Sequence, residues 1–181
     1  MITLKQLSNE NYSFAKDVME TSFPIEERPP FDCIQKRDKT IFSFNVAYDN
    51  NEPIGIFSYW HFDGFCYVEH FAVENKYRNK GLGCSIMNYF IENVNQQIIL
   101  EVEKPTNEMS CRRIACYKRL GFVENYQQYL QPSYHNDGNF VPLNIMSRVE
   151  LSDSDFETIK NILYQKVYSI LYYFVRLLIC L

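Results

Sequence analysis

Apolar and polar positions along this chain follow two periods. Leu82, Ile86, Phe90 and Val94 recur every four residues, the spacing of one helix face. Upstream, Thr40 to Tyr48, Pro53 to Phe62 and Phe65 to Val73 are rich in β-branched and aromatic residues, and polar clusters separate them. They read as three consecutive antiparallel strands, with a turn at Asp49-Asn50-Asn51-Glu52 and another at Asp63-Gly64. Downstream of the helix, Gln97 to Glu103 reads as a strand parallel to Phe65–Val73, which makes a right-handed βαβ unit. Pro105 ends that strand. A helix follows from about Asn107 to Leu120 and stops at Gly121. Phe122 to Leu130 and Val141 to Val149 are the last strands, with a long loop between them. At the other end, residues 2 to 7 suggest a first strand, and Asn9 or Asn11 could cap a helix running to about Ser22. The prolines at 24, 29 and 30 break that helix, and a short one is expected near Phe31 to Arg37.

The stretch Tyr67 to Gly83 joins a strand to a helix through a basic turn with two glycines. A helix N-terminus offers unpaired N–H groups and partial positive charge, and Arg78 and Lys80 add full charges beside it. These features suit a phosphate or pyrophosphate. A dinucleotide-binding turn would want a third glycine where Ile86 stands, and a P-loop would want Lys-Ser/Thr after Gly83, where Cys84-Ser85 stands. Neither fits.

The form present is Arg-x-x-Gly-x-Gly, Arg78 to Gly83, followed about 35 residues on by Tyr117-Lys118-Arg119-Leu120-Gly121-Phe122. The first resembles the acyl-CoA pyrophosphate loop of the GNAT (GCN5-related N-acetyltransferase) superfamily. The second is similar to that family's Tyr-x-x-x-Gly-Phe ending of the next helix. The resemblance covers residues 1–150. It implies an α/β fold: a mixed, mostly antiparallel sheet with a central βαβ unit and splayed parallel strands. It implies acetyl transfer from acetyl-CoA to a primary amine by direct attack. A non-catalytic acyl-CoA-binding or regulatory module on the same fold is the alternative.

Carried onto this chain, the resemblance places the pantetheine arm against the backbone of Phe71, Ala72 and Val73. Gly81, Gly83 and the neighbouring N–H groups of Asn79, Lys80 and Leu82 would hold the pyrophosphate, with Arg78 close by. Tyr117 would be the general acid toward the CoA sulfur. Ser110 stands where many members carry an asparagine that contacts the CoA arm, and Arg113 is one of a basic set that could meet the 3′-phosphate. The general base is left open. Strand alternation puts Tyr67, Glu69 and Phe71 on one face and Val68, His70 and Ala72 on the other. Glu69, a carboxylate in a strand that should be buried, is the first choice. Glu101, Glu103 or a water are the alternatives. Glu26, Glu27 and Arg28 are candidate acceptor contacts, or simply a solvated loop.

Composition changes this picture little. The 181 residues are 46 % hydrophobic and 22 % charged, ordinary for one globular domain. A net charge of −4 argues against nucleic acid as a partner. The six cysteines form no Cys-x-x-Cys and the three histidines are not spaced as zinc partners, so no metal is expected. The start lacks a secretory pattern. Reduced thiols and a cytoplasmic location are therefore expected. Residues 151–181 form a tail that begins with helix-capping residues and becomes steadily apolar. Its charges at Lys166 and Arg176 argue against a membrane span. Its first half is expected to pack on its own domain and its last turns to meet a second copy. Membrane association and a disordered or non-native extension remain as alternatives.

Overall fold

A computed structural model describes residues 1–135 and 137–168. Strands β1 (Ile2–Gln6), β2 (Phe42–Asp49), β3 (Glu52–Phe62), β4 (Phe65–Val73), β5 (Gln97–Glu103), β6 (Val123–Pro132) and β7 (Phe140–Ser147) form one seven-stranded sheet. Its order is β1-β2-β3-β4-β5-β7-β6. All neighbours are antiparallel except β4 and β5. The helices are α1 (Tyr12–Ser22), α2 (Phe31–Ile34), α3 (Leu82–Asn93), α4 (Glu108–Arg119) and α5 (Asp153–Ile162).

The strand alternation delivers two separate apolar layers. One holds Ala15, Val18 and Met19 of α1, Phe31 and Ile34 of α2, and Phe156 and Ile159 of α5 against Phe44, Tyr67 and Ile145 of the sheet. The other holds Ile86, Met87 and Phe90 of α3 and Ile114 and Tyr117 of α4 against Phe57, Val68 and Leu100. The sheet is thus covered on both faces, which a parallel pair at its centre requires.

The local chemistry of the elements matches their sequences. Asn50 and Asn51 take positive φ, 48° and 70°, in the β2–β3 hairpin, where a two-residue turn needs that conformation. Helix α4 starts with a reciprocal cap: the Asn107 side chain accepts from Ser110 N at 2.9 Å, and Asn107 N donates to Ser110 Oγ at 3.1 Å. Asn11 stands before α1 but does not cap it. Its side chain accepts from Ser8 N and donates to Gln6 O instead, tying the end of β1 to the helix start.

The chain from Leu151 onward joins the first of these layers. Buried Asn125 accepts from Leu151 N at 3.0 Å and donates to Ser147 Oγ at 2.8 Å, fixing where the chain leaves the sheet. Helix α5 continues into one wider turn, Leu163–Val167, and Leu163, Val167 and Tyr168 are all buried. The expected contact of the last turns with a second copy lies outside the described residues. Among the described residues no helix is long and apolar enough to cross a membrane.

Strand β3 lies so close to β4 at Gly55 that a Cβ there would run into the Ala72 carbonyl oxygen. Gly55→Ala is expected to lower stability by roughly 1–3 kcal/mol, as overpacking against a backbone atom does. Urea unfolding of the variant checks this; an unchanged midpoint would contradict the packing.

Candidate active site

Strands β4 and β5 pair only from Phe65–Gln97 to Val68–Leu100. Beyond that point they diverge, β4 staying with β3 and β5 with β7. The wedge opens at Glu69 and Glu101, the next residue on each strand.

A bulge coincides with the opening. Ser58 pairs with His70 and Tyr59 with Val68, so Glu69 is the extra residue on β4. A bulge of this kind re-aims side chains. Simple alternation is therefore corrected here: His70 and Ala72 join Tyr67 and Glu69 toward the α1/α2/α5 layer, and Phe71 and Val73 turn toward α3.

On the α3/α4 side lies a groove of about 680 Å³, within the range of ligand sites. Phe71, Ala72, Val73, Gly83 and Tyr117 line it. Gly81 has φ 76° at the N-cap of α3, a left-handed conformation that suits glycine. Gly83 has space on the groove side: a Cβ there would meet only the Phe71 and Val73 side chains, at 3.8 Å. The free N–H groups at the start of this twelve-residue helix face the groove wall.

The basic residues are used unequally. Arg78 is partly buried and donates through Nε to Val73 O at 2.8 Å and through Nη2 to Ser22 Oγ at 3.1 Å. It clamps the turn to the end of β4 and to α1, and it lines the groove together with Arg112, Arg113 and Arg119. Asn79 and Leu82 line the groove; Lys80 is exposed and does not. Arg113 lines the groove and pairs with Glu103 at 2.9 Å. Ser110 corrects one expectation: it is 2 % exposed and its hydroxyl is consumed by the α4 cap, so it does not face a cofactor arm.

Cys84 of α3 and Cys116 of α4 are joined by a disulfide in the groove wall, their Cα atoms 6.1 Å apart. The expectation of reduced thiols is corrected at this pair. The two helices pack side by side on one face of the sheet, which brings together residues 32 apart in sequence. Cys33, Cys66 and Cys111 are free thiols. Among the described residues no group of His, Cys, Asp and Glu is arranged to hold a metal.

Beyond Phe23, Glu27, Glu103 and Arg113, which it shares with the groove, lies a recess of about 60 Å³. Glu69, His70, Glu101, Gln131 and Leu143 complete its lining. Its two inner carboxylates have opposite environments. Glu69 has no exposed side-chain surface and accepts from Arg37 Nη1 at 2.5 Å, Trp60 Nε1 at 3.0 Å and Tyr134 Oη at 2.8 Å. Burial alone pushes its pKa up, but the Arg37 guanidinium and the His70 ring outweigh that and hold the carboxyl well below the usual range. Among the described residues no cation lies beside Glu101. Tyr67 and Tyr168 donate to its Oε2 at 2.8 Å each, and Tyr129 donates to Oε1. Burial pushes Glu101 up to about 7 against the lowering effect of these three phenols. The sequence marked Glu101 only as an alternative, and nothing local in it announced Tyr129 and Tyr168 as neighbours of Glu101 or Arg37 and Tyr134 as neighbours of Glu69.

Tyr117, on α4, is 7 % exposed and stacks at a tilt on Phe122, 5.7 Å between centroids. Burial pushes its phenol up to about 12, so it keeps its proton at neutral pH.

A groove ending on glycine-flanked helix N–H groups, opening between two diverging parallel strands and floored by carboxylates, defines an acyltransferase-like α/β protein. The model of the Acetyltransferase (GNAT) family matches residues 5–122. A putative GNAT-family acetyltransferase from Bacteroides thetaiotaomicron is 34 % identical, with 92 % of this chain and 98 % of that one covered and a TM-score of 0.85. The protein belongs to the GNAT acetyltransferase family. The fold is also shared by the ribosomal-protein-S18-alanine N-acetyltransferase of Escherichia coli: 18 % identity, 86 % and 98 % covered, TM-score 0.59. A spermidine N-acetyltransferase chimera from Vibrio cholerae and hSSAT shares it too: 16 % identity, 81 % and 93 % covered, TM-score 0.62. No match to the sequence is found among curated proteins.

Gly83→Val is expected to abolish most of the rise in Tm that acetyl-CoA causes, because its methyl groups fill groove space. Gly83→Ala, with ordinary 3.8 Å contacts, should fold and keep part of it. Differential scanning fluorimetry with and without acetyl-CoA reads both. An undiminished shift in a folded valine variant would place the cofactor elsewhere.

Proposed function

We propose that this protein is an acetyl-CoA-dependent N-acetyltransferase acting on a primary amine. The observation that carries this reading is the continuity of the groove with the acidic recess through Phe23, Glu27, Glu103 and Arg113. A ligand in the groove and one in the recess meet at that shared mouth, where β4 and β5 part. Acetyl-CoA supplies an activated acetyl thioester. The neighbours acting on ribosomal-protein alanine and on spermidine support an amine as the acceptor class. A pure binding module would not need the second, carboxylate-lined end.

Each residue has a stated task. The exposed N–H groups at Gly81–Gly83 and the α3 dipole bind the pyrophosphate. The free edges of Phe71–Val73, unpaired on the β5 side, offer main-chain hydrogen bonds to the pantetheine arm. Tyr117 holds a proton on the groove side for the departing thiolate. The incoming amine arrives as an ammonium and has to lose a proton.

Glu69, expected to take that proton, is paired with the Arg37 guanidinium, and its depressed pKa makes it a weak base. We assign the proton to Glu101, whose value near 7 suits a base at neutral pH. Glu69 then serves as the fixed anion that anchors Arg37 and His70.

Free-CoA detection with acetyl-CoA and simple primary amines tests the activity, and its absence with every amine would favour the binding module. Tyr117→Phe is expected to lower kcat by about 10- to 1000-fold with little change in the acetyl-CoA Kd. A base acts unprotonated, so the rate should rise with pH through about 7 and level off above it. Glu101→Gln should remove that rise and most of the activity; a rise preserved in the glutamine variant would reassign the base. Glu69→Gln should act on stability, since loss of a buried pair with Arg37 costs roughly 3–5 kcal/mol. Thermal unfolding separates the two roles.

A further inference from the structure

We propose that the acidic recess is a blind acceptor site, closed at its far end by the C-terminal segment through Tyr168, and that it takes the cationic tip of an unbranched aminoalkyl chain. The inference rests on the acetyltransferase reading above and names its acceptor class.

Size sets the first limit. A volume of about 60 Å³ holds roughly four to six water-sized groups. That is a short run of methylenes ending in an amine, and Phe23 and Leu143 supply apolar wall for the methylenes.

Charge sets the second. Glu27, Glu69, Glu101 and Glu103 line the recess, and the guanidinium in its lining, Arg113, is already paired with Glu103. Arg37 offsets Glu69 from behind. The carboxylates therefore outnumber their cations. Glu27 reports the imbalance: burial first, then the nearby Glu103, raises its pKa. An ammonium would relieve it, whereas an acceptor with a carboxylate beside its amine would worsen it.

Closure sets the third. The loop from Phe23 to Arg28 is pinned over the recess by two imidazoles. His70 Nε2 meets Glu27 O at 3.1 Å, and His135 Nε2 meets Ile25 O at 2.6 Å. A chain branched next to its amine, as at a peptide α-carbon, needs more width than an unbranched one in a recess of about 60 Å³.

The far end is built by a residue well beyond the family-matched region 5–122. Tyr168 is 3 % exposed. Its Oη donates to Glu101 Oε2 at 2.8 Å, accepts from Gln131 Nε2 at 2.9 Å and lies 3.0 Å from Tyr67 Oη. Its ring packs on Tyr134, 5.0 Å between centroids, and Tyr134 in turn donates to Glu69. Two lining residues, Glu101 and Gln131, are thus held from behind by one side chain. The groups facing Glu101 are Tyr67 and Glu69 of β4, Tyr129 and Gln131 of β6, Tyr134 of the β6–β7 loop, and Tyr168. Tyr168 is the contribution of the C-terminal segment to that set.

The test is steady-state CoA release by the full chain with butylamine, diaminobutane, tert-butylamine, 2-aminobutanoate and an alanyl peptide with a free N-terminus. The unbranched amines should exceed the other three by roughly 100-fold in kcat/KM, the scale on which shape and buried charge discriminate. Equal or better turnover of the peptide or the branched amine overturns the inference and leaves the acetyltransferase reading standing. No turnover of any acceptor, together with no acetyl-CoA shift in Tm, overturns both.

Tyr168→Ala should open the blind end and raise the relative kcat/KM of tert-butylamine by about tenfold or more. Tyr168→Phe keeps the wall but removes one donor to ionised Glu101, so the acid limb of the pH–rate profile should move to higher pH with the acceptor ranking unchanged. An unmoved limb in the phenylalanine variant overturns the role of Tyr168 whether or not the alanine variant folds.

Discussion

Everything distinctive about this molecule follows from where one parallel ladder stops. The β4–β5 pairing ends at Val68 and Leu100. Past that point each strand keeps one partner and presents an unpaired edge to the wedge. Unpaired main-chain groups in an interior have to be satisfied by something, and here they face a groove. Had the ladder continued to Val73 and Glu103, the sheet would be whole and the site would not exist. The bulge at Glu69 does the complementary job. It bends β4 away at the right place and turns two successive side chains, Glu69 and His70, to the same side.

The two carboxylates beside the wedge illustrate how burial is tuned rather than avoided. Glu69 is charged because a guanidinium, an indole N–H and a phenol all donate to it. Glu101, one strand away, is held by phenols alone, and neutral donors offset desolvation less completely than a cation does. The same residue type is thereby held ionised in one place and pushed up toward neutral pH in the other. That separation costs the fold a cluster of polar groups in a layer otherwise made of aromatic and aliphatic side chains, and the α5 segment is part of what seals it from water.

On the opposite face the groove brings helix-end N–H groups together with the arginines Arg78, Arg112, Arg113 and Arg119 in its lining. Arg78 looks like a phosphate ligand by position, yet its guanidinium holds Val73 and Ser22. The effect is to fix the turn so that the N–H groups of α3 are presented in a constant direction. A chain with a net charge of −4 can present such a groove because helix-end N–H groups and a few nearby arginines act locally, whatever the overall charge.

Most strands and helices, the hairpin turns, the α4 stop and the glycine turn were legible from local spacing, because each is decided by residues within a few positions of one another; α2 stops at Ile34, short of the expected Arg37, and β6 and β7 take in the ends, Gln131–Pro132 and Phe140, of what read as a loop. Strand β5 begins and ends where the sequence placed it, at Gln97 and Glu103. The family motifs were legible for the same reason, being short and contiguous. Alternation failed at Glu69 because a bulge is a property of a pair of strands, and one strand's sequence does not register its partner. Ser110 was misplaced because a serine near a helix start can serve a ligand or its own helix, and only the cap geometry decides. The Cys84–Cys116 pairing, the Arg37–Glu69 pair and the phenols around Glu101 join residues 28 to 67 positions apart. What the sequence determined by itself was the list of elements and the presence of a turn fit for an anion. Which of its glutamates is held ionised and which is pushed up toward neutral pH was decided by the tertiary structure alone, since a carboxylate's affinity for its proton is set by whatever the folded chain packs against it.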